Sequence, residues 1–161
     1  MNKDLKSIEW KPLIIAIAIP LAVGGAAAMI TRGGFDDYGA LHRPPLSPPA
    51  WLFPVVWTLL YILMGIGSYL VYVSDKYPCR VERALTVYAV QLVMNFCWTL
   101  LFFSLRLYSA AFVWLVLLWL AIAWTALLFR YISRTAAWLL LPYLLWTAFA
   151  GYLNLGVSIL N

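Results

Sequence analysis

Long apolar runs alternate with short charged joints along this chain. Each run holds about 20 largely apolar residues, the length that an α-helix needs to cross the hydrocarbon core of a bilayer. The runs predict five spans, over residues 12–30, 50–73, 84–103, 109–129 and 136–160. Since most connections are short, neighbouring helices are expected to pack antiparallel. We therefore predict an all-α membrane protein, a five-transmembrane-helix bundle that forms one domain over residues 1–161, with a Pro-rich lid loop at 31–49.

Composition favours a membrane protein over a soluble one. The chain has 161 residues, of which 65% are hydrophobic and 11% charged, and its mean hydropathy is +0.89. A soluble domain averages about 45–50% apolar and about 25% charged residues. The net charge of +5 comes from basic residues scattered at span ends, whereas a nucleic-acid-binding surface needs them clustered. We expect a lipid bilayer around the protein and no nucleic acid as a partner.

Basic residues also predict the orientation of the bundle. The N-terminus and the second and fourth connections carry eight of them: Lys3, Lys6, Lys11, Lys76, Arg80, Arg83, Arg130 and Arg134. The opposite side carries three: Arg32, Arg43 and Arg106. Cytoplasmic loops are enriched in Lys and Arg. We therefore predict a multi-pass protein of a bacterial cell membrane, with its N-terminus in the cytoplasm and its C-terminus outside.

The predicted spans hold little catalytic chemistry. Every Asp and Glu falls in a predicted tail or loop, and the single histidine, His42, lies in the first loop. Ionisable groups inside a membrane usually mark proton or ion pathways, so their absence from the spans argues against a proton-coupled transporter. Cys79, in a predicted loop, and Cys97, in mid-span, are not expected to form a disulfide. We expect no metal site and no required cofactor.

Aromatic and polar side chains recur at three- and four-residue steps, which places them on shared helix faces. The three faces hold Trp57, Tyr61, Ser68 and Tyr72 on the second span; Tyr88, Gln91, Asn95, Trp98 and Phe102 on the third; and Trp138, Pro142, Trp146, Ala150 and Leu153 on the fifth. Together they predict a slot walled by indole rings, with Gln91 and Asn95 to orient a ligand.

Packing explains the same residues without a ligand. Trp and Tyr near span ends usually form interfacial belts, and a mid-span Trp is more often a packing residue than a ligand contact. The amides of Gln91 and Asn95 could simply bridge helices. Periodicity alone therefore predicts an aromatic-rich membrane bundle and leaves its role open.

Three blocks of this sequence resemble the TspO/MBR family of tryptophan-rich sensory and translocator proteins, the peripheral-type benzodiazepine receptor group. The blocks run from Pro48 to Val71, from Gln91 to Phe103 and from Pro142 to Asn154. The resemblance implies a five-helix bundle, commonly a homodimer, with a pocket beneath the first loop. It also implies a receptor that binds protoporphyrin IX, haem-related tetrapyrroles, or isoquinoline and benzodiazepine drugs.

The resemblance assigns roles to individual residues. Six residues match pocket-lining positions of the family: Trp57, Asn95, Trp98, Trp146, Ala150 and Leu153. The expected ligand-binding set also includes residues from the end of the first loop and from the helix faces described above: Pro48, Pro49, Trp51, Tyr61 and Gln91. Trp57 and Trp146 match two tryptophans implicated in light-dependent porphyrin breakdown. An enzyme with these two as catalytic residues is therefore one alternative to simple binding, and a porphyrin or lipid transporter is another.

The lid departs from the family pattern at two positions. Leu46 stands where relatives usually carry Trp, and Asp37 replaces the aromatic residue that often precedes the loop tyrosine, here Tyr38. The resemblance therefore does not carry the ligand affinity and selectivity of relatives over to this chain.

Overall fold

The computed structural model describes residues 8–33, 41–74 and 78–161, and five helices in these residues are long and apolar enough to cross a membrane. They are α1 (Trp10–Ile30), α2 (Leu52–Tyr72), α3 (Pro78–Thr99), α4 (Tyr108–Ile132) and α5 (Arg134–Leu160), and a π-helical turn, Leu100–Ser104, extends α3. The predicted fold class, an all-α five-span bundle, is confirmed.

The third helix begins earlier than the sequence pattern predicts. It starts at Pro78 rather than residue 84, so that Cys79 and Glu82 lie on its first turns instead of in a loop. The expectation that every carboxylate lies in a tail or loop was therefore wrong at Glu82. With the π-helical turn the segment has 27 residues, or about 40 Å at 1.5 Å per residue. That exceeds a hydrocarbon core of about 30 Å, so the polar first turns extend beyond it.

The helices close into a ring whose order differs from the order along the chain. Helix α1 packs against α2, α2 against α5, α5 against α4, and α4 against α3, which returns to α1. The expected contact between chain neighbours therefore holds for all four pairs, although it is small between α2 and α3. Helix α2 lies mainly against α1 and α5 rather than against α3, which follows it in the sequence.

Glycines allow α1 and α2 to approach closely. A Cβ atom on Gly65 would lie 2.5 Å from the Cα of Ile17 and 2.7 Å from the carbonyl oxygen of Ala16. Gly24, on α1, leaves room for the ring of Tyr61. Small residues at such crossings let backbones pack where lipid supplies no hydrophobic drive.

The predicted polar stripe is correct on α3 and partly wrong on its two neighbours. Tyr88, Gln91, Asn95, Trp98 and Phe102 are all buried. On α2, Tyr72 is 59% exposed, and on α5, Trp138 is 70% exposed and Pro142 is also exposed. The buried face of α5 instead follows Tyr143, Thr147, Ala150 and Asn154. Adjacent residues of a helix point in directions about 100° apart. A pattern displaced by one residue therefore predicts the wrong face, which accounts for the error on α5.

Candidate functional site

A cavity of about 540 Å³ opens between four helices at the end of the bundle that carries the first loop. Helix α1 contributes small residues, α2 and α3 contribute aromatic rings, and α5 closes the far side. The lining residues are Gly24, Ala27, Ala28, Arg32, Arg43, Ala50, Trp51, Phe53, Pro54, Trp57, Tyr61, Trp98, Thr99, Phe102, Phe103, Ala150, Leu153 and Asn154. A largely apolar cavity of this size is typical of small-molecule sites.

Trp57 lies at the centre of the aromatic wall. Its ring centroid is 5.6 Å from that of Tyr61, 6.2 Å from that of Trp98 and 6.0 Å from that of Tyr143. Trp98 in turn lies 5.8 Å from Phe102. Rings at such separations attract one another beyond their buried area. The wall is therefore a preformed aromatic surface, suited to a flat apolar molecule.

A chain of buried hydrogen bonds lies behind this wall. The Tyr61 hydroxyl donates to Oδ1 of Asn95 (3.1 Å), and Nδ2 of Asn95 donates to the Tyr143 hydroxyl (2.8 Å). The Tyr143 hydroxyl donates to Oε1 of Gln91 (3.0 Å). These bonds join α2, α3 and α5, and they fix the position of Tyr61 in the cavity wall.

Asn154 orients a second wall residue. Its Oδ1 accepts from Nε1 of Trp98 (3.2 Å), and its Nδ2 donates to the carbonyl oxygen of Tyr108 (2.8 Å). Because both ends of the amide are used, Asn154 holds the indole of Trp98 in one orientation.

The described end of the first loop is attached to the last turns of α5. The backbone N–H of His42 donates to Oδ1 of Asn161 (3.1 Å), whose Nδ2 donates to the His42 carbonyl (2.9 Å). The Tyr152 hydroxyl donates to the carbonyl of Pro45 (2.8 Å). Pro44 lies so close to Gly156 that a Cβ there would be 2.5 Å from Cγ of the proline. This part of the loop is thus held above the cavity.

The structure brings six of the predicted ligand-binding residues to the cavity wall: Trp51, Trp57, Tyr61, Trp98, Ala150 and Leu153. Gln91 and Asn95 lie behind the wall in the hydrogen-bond chain. A ligand-binding role for each of these residues stays a prediction.

Three further predicted residues lie away from the described wall. Pro48 and Pro49 precede α2, where the Pro49 carbonyl accepts from the N–H of Leu52 (3.0 Å). Trp146 packs against Phe53 at 6.0 Å and against Phe149 at 5.6 Å. Of the two tryptophans considered for photochemistry, Trp57 therefore lines the cavity and Trp146 stands one ring behind it.

Of the two predicted lid residues, Tyr38 and Leu46, the structure describes only Leu46. Tyr38 and Asp37 lie outside the described residues. Leu46 has a positive φ of 66° and its side chain is 83% exposed. It is not among the residues that line the cavity, and a lid role for Leu46 stays a prediction.

Three features of the site are not indicated by the sequence pattern. They are the arginines at the cavity mouth, the central residue of the hydrogen-bond chain, and the wall that α1 forms. Arg32 and Arg43 line the mouth, whereas in the sequence they bear only on the predicted orientation. Tyr143 lies within the third block of the family resemblance, but neither the periodicity nor the resemblance predicts a role for it. The small residues of α1 that line the cavity have a spacing that gives no signal of a ligand site.

Comparison with known proteins agrees with this architecture. The family model described as "TspO/MBR family" matches residues 16–160. The chain is 40% identical to the bovine "Translocator protein" over 147 residues, covering 90% of this chain and 87% of that protein. It is 38% identical to "Tryptophan-rich protein TspO" of Chlorobaculum tepidum over 162 residues, covering 100% and 99%. It is 36% identical to "Protein CrtK" of Rhodobacter capsulatus over 138 residues, covering 86% and 85%.

Proposed function

The chain belongs to the TspO/MBR family of membrane sensors and translocators, and we propose that it is a receptor for tetrapyrroles. The ligand class is protoporphyrin IX and haem-related macrocycles, with flat isoquinoline- and benzodiazepine-type molecules as further ligands. The observation that carries this proposal is the aromatic cavity itself. It places Trp57, Tyr61 and Trp98 along one wall of a largely apolar space.

The walls of the cavity differ in a way that suits a flat ring system. Gly24, Ala27 and Ala28 make the α1 side smooth, whereas the facing side presents indole and phenol rings. A planar macrocycle inserted edge-on would contact the rings face to face and leave its polar edge at the mouth. Few polar groups are needed for binding, because burial of apolar area supplies most of the affinity.

A titration with protoporphyrin IX tests this function. We expect saturable quenching of tryptophan fluorescence in the purified protein, and about tenfold weaker binding for Trp57→Leu, since the variant loses one aromatic face. Trp124→Leu is the matched control, because Trp124 is 48% exposed on α4 and lies outside the cavity. Equal affinity in the two variants and the wild type would place the ligand elsewhere.

We also infer that the receptor is a homodimer in a bacterial cell membrane with its cavity mouth facing outward. The excess of basic residues on the opposite side supports that orientation, and the family resemblance supports the dimer.

A further inference from the structure

We propose that Tyr88 and Gln91 bind one buried water molecule, which completes the chain of hydrogen bonds behind the cavity wall. Neither side chain is among those that line the cavity. The inference therefore concerns a second site in the bundle, and it stands whether or not the cavity takes a tetrapyrrole.

Two buried polar atoms of α3 carry this inference. The hydroxyl oxygen of Tyr88 and the Nε2 atom of Gln91 have no hydrogen-bond partner among the residues that the structure describes. Tyr88 is 6% exposed and Gln91 is 1% exposed. The two residues stand three positions apart, so they share one face of the helix. Buried polar groups are almost always paired with protein or with ordered water, so these two atoms require a partner.

The direction of the hydrogen-bond chain leaves the Gln91 amide with unused donors. The Tyr143 hydroxyl accepts from Nδ2 of Asn95 (2.8 Å), and its single hydrogen goes to Oε1 of Gln91 (3.0 Å). The carbonyl side of the Gln91 amide is therefore occupied. Its Nε2 carries two N–H groups, and the chain ends on these donors.

Ser68 supplies an acceptor next to the same place. Its side chain, on α2, is buried and lies beside the Tyr88 hydroxyl. The Ser68 hydroxyl donates its hydrogen to the carbonyl of Gly65 (2.9 Å). Its oxygen keeps lone pairs that can accept. Donors from α3 and an acceptor from α2 therefore lie close together.

Water matches this set of groups. Its oxygen can accept from the Tyr88 hydroxyl and from the Gln91 amide, and one of its hydrogens can go to Oγ of Ser68. A buried water typically makes about three hydrogen bonds to polar groups of this kind. The buried polar residues that the structure describes are all neutral, so an ion here would lack a charged partner.

The two helices that the water joins have little direct contact. Helix α2 packs mainly against α1 and α5, and its contact with α3 is small. The hydrogen bond from Tyr61 to Asn95 joins α2 and α3 at the cavity. The water joins them again about two turns further along α2, beside Ser68. Water-mediated hydrogen bonds are nearly as favourable as direct ones, so the site holds together a helix pair that packs loosely.

A high-resolution crystal structure tests the site directly. We expect an isolated peak of electron density within about 3.2 Å of both the Tyr88 hydroxyl and Nε2 of Gln91. The Asn95 amide is the internal control, because its Oδ1 and Nδ2 are both bonded to tyrosine hydroxyls, and no such peak is expected beside it. The absence of a peak next to well-ordered Tyr88 and Gln91 side chains would overturn the inference.

The sign of a stability change tests the same site in solution. If the water is bound, Tyr88→Phe removes one of its hydrogen bonds, and we expect the folding equilibrium constant to fall about fivefold in SDS titrations. If the site is dry, the variant removes an unpaired hydroxyl and gains stability. Unchanged or higher stability would therefore contradict the bound water.

Tyr72→Phe is the matched control for this measurement. Tyr72 lies on α2 with its side chain 59% exposed, so the loss of its hydroxyl should leave stability unchanged. A fall as large as that of Tyr88→Phe would show that the loss does not come from the buried site, and the inference would fail.

Discussion

At the scale of single residues, Tyr143 links the core to the cavity. Its side chain is fully buried, its hydroxyl accepts from Asn95 and donates to Gln91, and its ring packs 6.0 Å from Trp57. One side chain thus supports both the polar chain and the aromatic wall. Buried polar groups lose most when only one partner of a bond is removed.

Tyr143→Phe keeps the ring and removes the hydroxyl, which leaves Asn95 Nδ2 and Gln91 Oε1 without the bonds they make to it. We expect the free energy of unfolding to fall by about 1–2 kcal/mol, as measured by unfolding with SDS in mixed micelles. Tyr131→Phe serves as the control, because Tyr131 is 73% exposed. If the two variants unfold alike, the hydrogen-bond chain contributes nothing measurable to stability.

At the scale of elements, the packing of each helix depends on how closely its neighbours approach. Helices α1 and α2 pack closely at Gly65, where the backbone of α1 at Ala16 and Ile17 occupies the space that a side chain would need. The same pair of helices forms two sides of the cavity. Their separation therefore sets both the packing and the width of the site.

Gly65→Ala should push these two helices apart. Because the obstructing atoms belong to the backbone, the strain cannot be relieved by a rotamer change, and we expect a loss of about 1–3 kcal/mol of stability. Gly25→Ala offers a sharp comparison, since a Cβ there meets nothing within 4 Å. That variant should be neutral or slightly more stable, because Ala favours helix over Gly. Equal thermal unfolding temperatures for the two variants would contradict the close crossing at Gly65.

At the scale of the whole molecule, the two ends of the bundle have different roles. One end carries the cavity, the arginine pair and the loop fastened to α5. The other carries the start of α3 with its polar first turns, including the exposed Cys79. The proposed orientation places the first end outside the cell and the second in the cytoplasm.

Cys79 reports on this orientation directly. A membrane-impermeant maleimide should label it in inverted bacterial vesicles and not in right-side-out ones, since basic loops stay cytoplasmic. Cys79→Ser should abolish the signal, because Cys97 lies half-buried in the middle of a span. In that background, Leu46→Cys should show the reverse pattern, as Leu46 is exposed at the other end. Labelling of Cys79 from the outside would show that the orientation is inverted.

The sequence by itself determined the five spans, because the apolar runs match the thickness of a bilayer. It also determined the buried face of α3, since Gln91, Asn95 and Trp98 repeat with the period of a helix. The blocks around Trp57 and Ala150 further indicated the family and a pocket beneath the first loop.

Only the tertiary structure decided which helices touch and which residues meet. Lipid chains are as apolar as Leu side chains, so hydropathy cannot tell a lipid-facing surface from a helix-facing one. That is why the periodicity predicts Trp138 inside the bundle and assigns no role to Tyr143. Likewise, Arg32 and Arg43 line the same cavity mouth only because the helices form a closed ring and the loop is attached to α5. The spacing of residues along the chain indicates neither the order of the helices in the ring nor the attachment of the loop.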